Sequence, residues 1–133
     1  MICIFCGIIE NRVEAFKVWE NRDFILLLDI KPINPGHVIL IPKRHVEDVL
    51  SISEPLYGRM FQTAKKVARV LQKVTSAKRI GLAIEGFGVP HAHIHLVPVN
   101  KANELNPLRA KKIGQKELRD TQVDFISQFK GLR

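Results

Sequence analysis

The sequence is poor in the features that mark secreted scaffolds and membrane proteins. Its 133 residues include 2 cysteines, 1 tryptophan and 1 tyrosine. No run approaches the roughly 18 consecutive apolar residues that a membrane-spanning helix needs. The apolar start of the chain has no basic leader and is soon followed by Glu10, so it does not resemble a secretory signal. We therefore expect a cytoplasmic protein with reduced thiols and no membrane partner.

Acidic residues are also missing from one long stretch. None occurs between Glu54 and Glu85, although the chain as a whole carries a net charge of +8. Such an excess favours an anionic partner, for example a nucleotide, a phosphate or nucleic acid. The alternative is a solvated helix face with no binding role. The cations of this stretch are Arg59, Lys65, Lys66, Arg69, Lys73, Lys78 and Arg79.

The remaining composition, 46% hydrophobic and 26% charged, is that of a globular protein with a core. We expect one domain over residues 1–133. Apolar residues from Leu56 to Val74 recur at steps of three and four, which predicts a helix over 54–75 with Ser53 as its N-cap. Strands grouped around this helix predict an α+β fold with a mostly antiparallel sheet of about five strands. The predicted strands are 13–19, 23–30, 37–42, 79–84 and 91–99, and a C-terminal helix is predicted over 115–129, ending before Gly131.

The histidines carry the clearest chemical pattern. Three of the 5 histidines, His91, His93 and His95, alternate along a predicted strand, and the other two are His37 and His45. Strand alternation places the three imidazoles on one face and the intervening apolar residues on the other. Burying neighbouring imidazoles in a purely structural role costs free energy, because their nitrogens need hydrogen-bond partners when buried. Histidine at such positions serves as a nucleophile, as an acid or base, or as a metal ligand.

This region resembles the histidine triad (HIT) family, whose signature is His-φ-His-φ-His-φ-φ with φ apolar. The matching segment is His91-Ala-His93-Ile-His95-Leu-Val97. Three further segments follow the family's order: Cys3–Ile9, Leu28–Ile30 and Pro35–His45. The resemblance covers about residues 3–99, and the basic segment 100–133 shows no family pattern. It implies a HIT-like fold, usually a homodimer, that binds a nucleotide, with a purine expected.

The resemblance also implies the reaction and its catalytic residues. Family members hydrolyse or transfer the nucleotidyl group of nucleotide conjugates, such as dinucleoside polyphosphates and nucleoside phosphoramidates. The middle histidine attacks the α-phosphorus and forms a nucleotidyl-histidine that water resolves. By this resemblance His93 is the nucleophile, His95 faces the phosphate and His37 completes the site. Histidines that are neutral near pH 7 suit such covalent catalysis.

The nucleotide-binding residues are implied in the same way. Asp29 corresponds to the residue that holds the ribose hydroxyls; from sequence alone it can equally be a turn former after a strand. The residues that correspond to the apolar clamp around the base are Ile4, Phe5, Leu28 and Ile30.

One segment departs from the family pattern. Many members carry a Gln-Ser or Gln-Thr pair before the first triad histidine, which contacts the phosphate and assists the leaving group. Phe87 and Gly88 stand there in this chain, and neither has a side-chain hydrogen-bond donor. Backbone N–H groups of Gly86, Gly88 and Val89 can still form an anion nest. The departure makes phosphoramidate cleavage harder to argue and favours, as the alternative function, a non-catalytic nucleotide-binding or regulatory homodimer.

The cysteine pair has several interpretations by itself. Cys3 and Cys6 can be a redox pair, half of a metal site or small buried side chains. Tetrahedral Zn²⁺ takes four nitrogen or sulfur ligands. Some HIT proteins with an N-terminal Cys-x-x-Cys hold a structural Zn²⁺, and the resemblance implies Cys3, Cys6, His45 and His91 as its ligands. Nucleic acid is not an expected partner, since no recognition motif accompanies the basic helix.

Overall fold

The structure is a computed structural model that describes residues 3–133, and it contains a five-stranded sheet flanked by helices. The strand order is β1-β2-β3-β5-β4, and every neighbouring pair is antiparallel. The predicted α+β fold is therefore confirmed. The elements are α1 (Ile4–Ile9), β1 (Lys17–Glu20), β2 (Phe24–Leu28), β3 (Val38–Pro42), α2 (Leu56–Thr75), β4 (Arg79–Ala83), β5 (Ile94–Val99) and α3 (Gln115–Phe129), with 3-10 turns at Val49–Ser51 and Pro107–Arg109.

The two central apolar strands are covered on both faces. Every residue of β2 and β3 is buried. Alternate residues such as Leu26 and Leu40 enter a core beneath α2 and α3, whereas Ile25 and Ile41 enter a second core beneath α1. This arrangement explains why these strands appear in the sequence as nearly continuous apolar runs.

The helical core extends to the C-terminus of the chain. Met60, Val67 and Leu71 of α2 pack against the sheet together with Phe125 and Phe129 of α3. The predicted helix 115–129 is confirmed. The predicted Ser53 N-cap is wrong, because the side chain of Ser53 does not cap α2. The Ser53 carbonyl instead accepts the backbone N–H of Tyr57.

Helix α1 was not predicted, since six residues are too few to show a helical stripe. The thiol of Cys3 accepts the N–H of Cys6 and caps its first turn. The buried side chains Phe5 and Ile8 attach the helix to the second core.

All five strands are shorter than predicted, and two of them begin three or more residues later than predicted. The ladder of β1 begins at Lys17, and that of β5 begins at Ile94. His91 and His93 therefore precede β5, and only His95 lies within it. The cause is local: the Ala92 N–H donates to the Val46 carbonyl rather than to a neighbouring strand. Within residues 3–133, the structure contains no helix with the length and apolar composition required to cross a membrane.

We expect Phe129→Ala to lower the free energy of unfolding by about 3–5 kcal/mol, because Phe129 is fully buried. Val123→Ala, on an exposed position of the same helix, is the matched control and should change it by less than about 0.5 kcal/mol. Urea unfolding followed by the fluorescence of Trp19, whose indole N–H donates to the Leu132 carbonyl, measures both. A separate early transition in the Phe129 variant would contradict the view that α3 belongs to the main core.

Candidate active site and metal centre

Two groups of side chains lie on the sheet face that carries α1. The first comes from the ends of neighbouring strands: Asp29 follows β2, His37 precedes β3, and His95 lies in β5. Leu28 pairs with Val38, which places Asp29 beside His37. Ile39 pairs with His95, which brings the third side chain to the same place.

The hydrogen bonds of this group determine which ring nitrogen of His37 and of His95 carries the proton. The backbone N–H of Ile33 donates to His37 Nδ1 over 3.0 Å, so that nitrogen holds a lone pair. We therefore assign the proton of neutral His37 to Nε2, which lies 2.9 Å from His95 Nδ1 and 3.4 Å from Asp29 Oδ2. In turn, His95 Nδ1 accepts and His95 Nε2 carries the proton.

Burial sets the charge of these rings. It lowers the pKa of His37 to about 4, although the Asp29 carboxylate opposes the shift. Burial likewise lowers the pKa of His95; the neighbouring His93 imidazole adds to the shift and Asp29 opposes it. Both rings are thus neutral donors and acceptors near pH 7.

His93 is held differently. Its Nδ1 lies 2.6 Å from the carbonyl oxygen of His91 and must donate there. The lone pair of neutral His93 therefore belongs to Nε2. Phe5 of α1 packs edge-on against the ring of His93, with 5.2 Å between ring centres. This geometry leaves the His93 side chain with an unprotonated nitrogen and a fixed ring plane.

Asp29 forms the turn that its position suggested. Its Oδ1 accepts the backbone N–H of Lys31 over 2.8 Å, which closes a turn after the strand. Its Oδ2 faces the histidines and, among residues 3–133, lies 3.4 Å from His37 Nε2 and 3.9 Å from His95 Nδ1. One carboxylate oxygen is therefore available to a ligand.

The side chains of this group border a cavity of about 430 Å³. Of the predicted nucleotide-binding residues, Ile4, Phe5, Asp29, Gly88 and Val89 line it. The remaining two, Leu28 and Ile30, line a neighbouring depression of about 850 Å³ that also reaches Ile4, Phe5 and Asp29. The two spaces thus adjoin along four shared lining residues, Ile4, Phe5, Asp29 and Ile39.

Several cavity residues were not predicted from the sequence. Lys31 and Ile33 come from the loop before β3, whose sequence indicated only a turn. Leu105, Pro107 and Ala110 come from the segment after β5, which has neither a helical nor a strand period. Only the path of the chain in three dimensions brings this segment to the site.

The second group is the predicted set of metal ligands, and the structure brings all four together. The ligand atoms of Cys3, Cys6, His45 and His91 lie within 4.8 Å of one another. His91 Nδ1 is 3.5 Å from Cys3 Sγ and 3.6 Å from Cys6 Sγ. His45 Nδ1 is 3.2 Å from Cys6 Sγ and 3.1 Å from His91 Nδ1. Ligands of tetrahedral Zn²⁺ lie about 3.3–3.8 Å apart, given bonds of about 2.0–2.3 Å.

The protonation of the His91 ring is the one that a metal ligand needs. Its Nε2 lies 2.8 Å from the Pro42 carbonyl and donates to it, which directs the Nδ1 lone pair at the thiols. Burial lowers the pKa of His91 and keeps the ring neutral, as ligation requires. The predicted zinc centre is thus confirmed as a set of four ligands positioned for the metal.

Asp29, His37 and His95 also lie close enough to suggest a metal site. Their hydrogen bonds argue against it. His37 Nδ1 already accepts from Ile33, so ligation through Nε2 would require an imidazole without any proton. This group is therefore a hydrogen-bonded relay rather than a metal centre.

The sequence matches a family model and known proteins. The family model for the HIT domain matches residues 10–102. An uncharacterized HIT-like protein of Borreliella burgdorferi is 31% identical over 118 residues, which cover 84% of this chain and 85% of that protein.

Two solved structures share the fold at 24% identity. A hypothetical histidine triad nucleotide-binding protein from Sulfolobus tokodaii has a TM-score of 0.85 and covers 98% of this chain and 93% of its own. A Zn-bound histidine triad family protein from Mycobacterium smegmatis has a TM-score of 0.79, with 98% and 97% covered. Since the family model matches more than half of the sequence, the chain belongs to the histidine triad (HIT) family.

Proposed function

We propose that the protein is a nucleotide hydrolase or nucleotidyl transferase that acts at the α-phosphorus through a nucleotidyl-histidine on His93. The observation that carries this proposal is the bond from His93 Nδ1 to the His91 carbonyl, which leaves Nε2 as the nucleophile beside a ligand-sized cavity. When Nε2 attacks phosphorus, the ring becomes cationic, and the carbonyl at Nδ1 stabilises that charge.

The neighbouring histidines assist at the phosphate. His95 Nε2–H can donate to a phosphate oxygen, because His95 Nδ1 accepts from His37. His37 thereby fixes the proton of His95. Backbone N–H groups of Gly86, Gly88 and Val89 supply further donors, and the positive φ of Gly86 suits such a nest.

The remainder of the nucleotide extends past Asp29. We assign the ribose hydroxyls to the available oxygen of Asp29 and the base, with a purine preferred, to the depression lined by Ile4, Phe5, Leu28 and Ile30. The adjoining of the two spaces at Asp29 supports this order of base, sugar and phosphate.

We also propose that Zn²⁺ occupies the four-ligand centre and serves a structural role. The ion would cross-link the start of α1, His45 and the segment before β5. A reducing cytoplasm would keep both thiols out of a disulfide and so able to bind the metal. The likeness to a Zn-bound histidine triad protein supports the choice of metal.

A homodimer of single-domain chains is the proposed assembly. Strand β4 pairs on one side with β5 and lies at the sheet edge, and its exposed Leu82 and the following Ile84 offer an apolar surface. The packing of α3 into the main core supports one domain over the chain.

The alternative is a non-catalytic nucleotide-binding or regulatory homodimer. The absence of a side-chain donor at Phe87 and Gly88 favours it. Turnover of a nucleotide conjugate distinguishes the two functions.

We expect His93→Ala to lower kcat roughly 10⁴-fold or more, since it removes the nucleophile. His95→Ala and His37→Ala should reduce kcat less. Intact-protein mass spectrometry after an alkaline quench should show one nucleotidyl group on the wild type, carried by the peptide that contains His93. An adduct on another residue, or wild-type kcat in His93→Ala, would refute the assignment.

We expect Asp29→Ala to weaken binding of a nucleoside monophosphate by on the order of 1.5–3 kcal/mol for each hydrogen bond lost to the carboxylate. Calorimetry with the 2′,3′-dideoxy nucleotide is the control, and there the variant should match the wild type closely. An equal loss for both nucleotides would show that Asp29 does not bind the diol.

Elemental analysis should find close to one Zn²⁺ per chain in protein purified without chelators. Cys6→Ser should lose the metal and lower Tm, because an occupied centre contributes to folding. His95→Ala is the matched control and should keep its zinc, since His95 belongs to the other cluster. Wild-type protein without zinc and with both thiols titratable would contradict the proposal.

A further inference from the structure

We propose that Glu14 and Arg119 select guanine in the depression beside Asp29, so that guanosine nucleotides are the preferred substrates. The inference rests on the proposed function, which places the base of the nucleotide in this depression. It goes further, because it names the purine and the two side chains that distinguish it from adenine.

The depression has an apolar part and a polar part. The apolar part is formed by Ile4, Phe5, Leu28 and Ile30. These side chains suit the flat faces of a base, but they have no donor or acceptor that could distinguish one purine from another. The polar part is formed by Asn11, Glu14, Lys17, Gln115, Arg119 and Gln122. Any selection between purines therefore depends on the polar part.

Helix α3 is fixed beside the polar part. Gln115, Arg119 and Gln122 follow one another at steps of four and three, so they share one face of the helix. On that face, Gln122 Nε2 donates to the Lys17 carbonyl of β1 over 3.0 Å. The buried side chain of Leu118 anchors the same turn in the main core. Contacts on both sides of Arg119 along the helix thus hold its backbone beside the depression.

Glu14 and Arg119 carry charges that the protein itself does not pair. Within residues 3–133, neither side chain belongs to an ion pair. The ammonium of Lys17, the other cation of the polar part, donates to Asn11 Oδ1 over 2.8 Å. A carboxylate and a guanidinium that line one depression without pairing can bind a ligand edge that offers donors to the first and acceptors to the second.

Guanine has such an edge. Its O6 and N7 atoms are acceptors, which arginine binds through two N–H groups. Its N1–H and N2–H groups are neighbouring donors, which a carboxylate accepts with its two oxygens. Guanine therefore complements Arg119 and Glu14 at the same time.

Adenine presents the opposite groups at the same positions. Its N6 amino group donates where guanine O6 accepts, so it would face the guanidinium of Arg119 with a second set of donors. Its N1 lone pair would face the carboxylate of Glu14. Selection of guanine thus comes both from its matched contacts and from the mismatched contacts of adenine.

A further phosphate group is a poorer occupant of the polar part. The Glu14 carboxylate repels any anion that Arg119 attracts. The amide of Gln115 offers both donors and an acceptor, so it is compatible with a base edge. The charges of the polar part therefore favour a neutral edge with mixed donors and acceptors.

Titration calorimetry of the wild type with the 5′-monophosphates of guanosine, inosine and adenosine (GMP, IMP and AMP) tests the proposal. One hydrogen bond to a charged group changes affinity by about tenfold or more, so GMP should exceed AMP in affinity by about that factor. IMP keeps O6 and N1–H but lacks the N2 amino group, and its affinity should lie between the two. Equal affinities for GMP and AMP, or tighter binding of AMP, would overturn the proposal.

A first variant tests the carboxylate. Glu14→Ala should weaken GMP binding by about tenfold and IMP binding by less, because only GMP has the N2 amino group. It should leave AMP binding unchanged or make it tighter. Glu10→Ala, which removes an exposed carboxylate outside the depression, is the matched control and should change none of the three affinities. Equal losses for GMP and AMP in Glu14→Ala would contradict the assignment.

A second variant tests the guanidinium. Arg119→Ala should weaken GMP and IMP alike, by about tenfold, since both carry O6, and should change AMP binding little. Lys116→Ala removes a cation of the same helix that pairs with Asp120 outside the depression, and it should change none of the affinities. An equal loss for all three nucleotides in Arg119→Ala would show that Arg119 binds the phosphate instead of the base.

Failure of the reaction and failure of the base selection are distinguishable. If GMP is preferred but His93→Ala keeps the wild-type kcat, the proposed reaction is wrong and the selection of guanine stands. If the three nucleotides bind equally while His93 carries the nucleotidyl group, the selection is wrong and the reaction stands. If none of the three binds, both are refuted.

Discussion

His91 connects the proposed active site to the metal centre, because three of its groups each contact a different partner. Its Nε2–H donates to the Pro42 carbonyl at the end of β3. Its carbonyl accepts from His93 and so determines which nitrogen of His93 is unprotonated. Its Nδ1 faces the thiols of Cys3 and Cys6. The position of the proposed nucleophile and that of the metal centre therefore depend on one backbone segment.

Hydrogen bonds also explain why two neighbouring clusters of similar composition have different chemistry. Around Cys3 and Cys6, the imidazole lone pairs converge on a common centre, as a metal requires. Around Asp29, three histidine nitrogens face complementary groups: the Ile33 N–H faces His37 Nδ1, and the proton of His37 Nε2 faces His95 Nδ1. The residue types alone allow a metal in both places, and only the positions of the protons distinguish them.

The sequence predicted those parts of the molecule that a period or a repeated spacing encodes. The apolar stripe of α2, the runs of β2 and β3, and the alternating histidines each led to the observed element or cluster. It could not predict α1, because six residues are too few to show an apolar stripe. In the sequence, a cysteine that caps a helix also cannot be told from any other cysteine. Nor could it show that β5 starts at Ile94, since alternation of side chains persists in extended chain that pairs with no strand. The roles of His93 and Asp29 still depend on the family resemblance.

Residues 104–110, which follow β5 and border the cavity, could not be placed from the sequence for a different physical reason. Leu105 reaches the cavity because Gly81 leaves space on β4, and Arg109 reaches Asn34 because the loop before β3 turns toward it. These contacts join positions that are far apart in the chain and follow no local pattern. Loops of this kind vary more freely than the sheet that carries the histidines. A change in residues 104–110 can therefore alter this wall of the cavity without disturbing His91, His93 or the hydrogen bond between them.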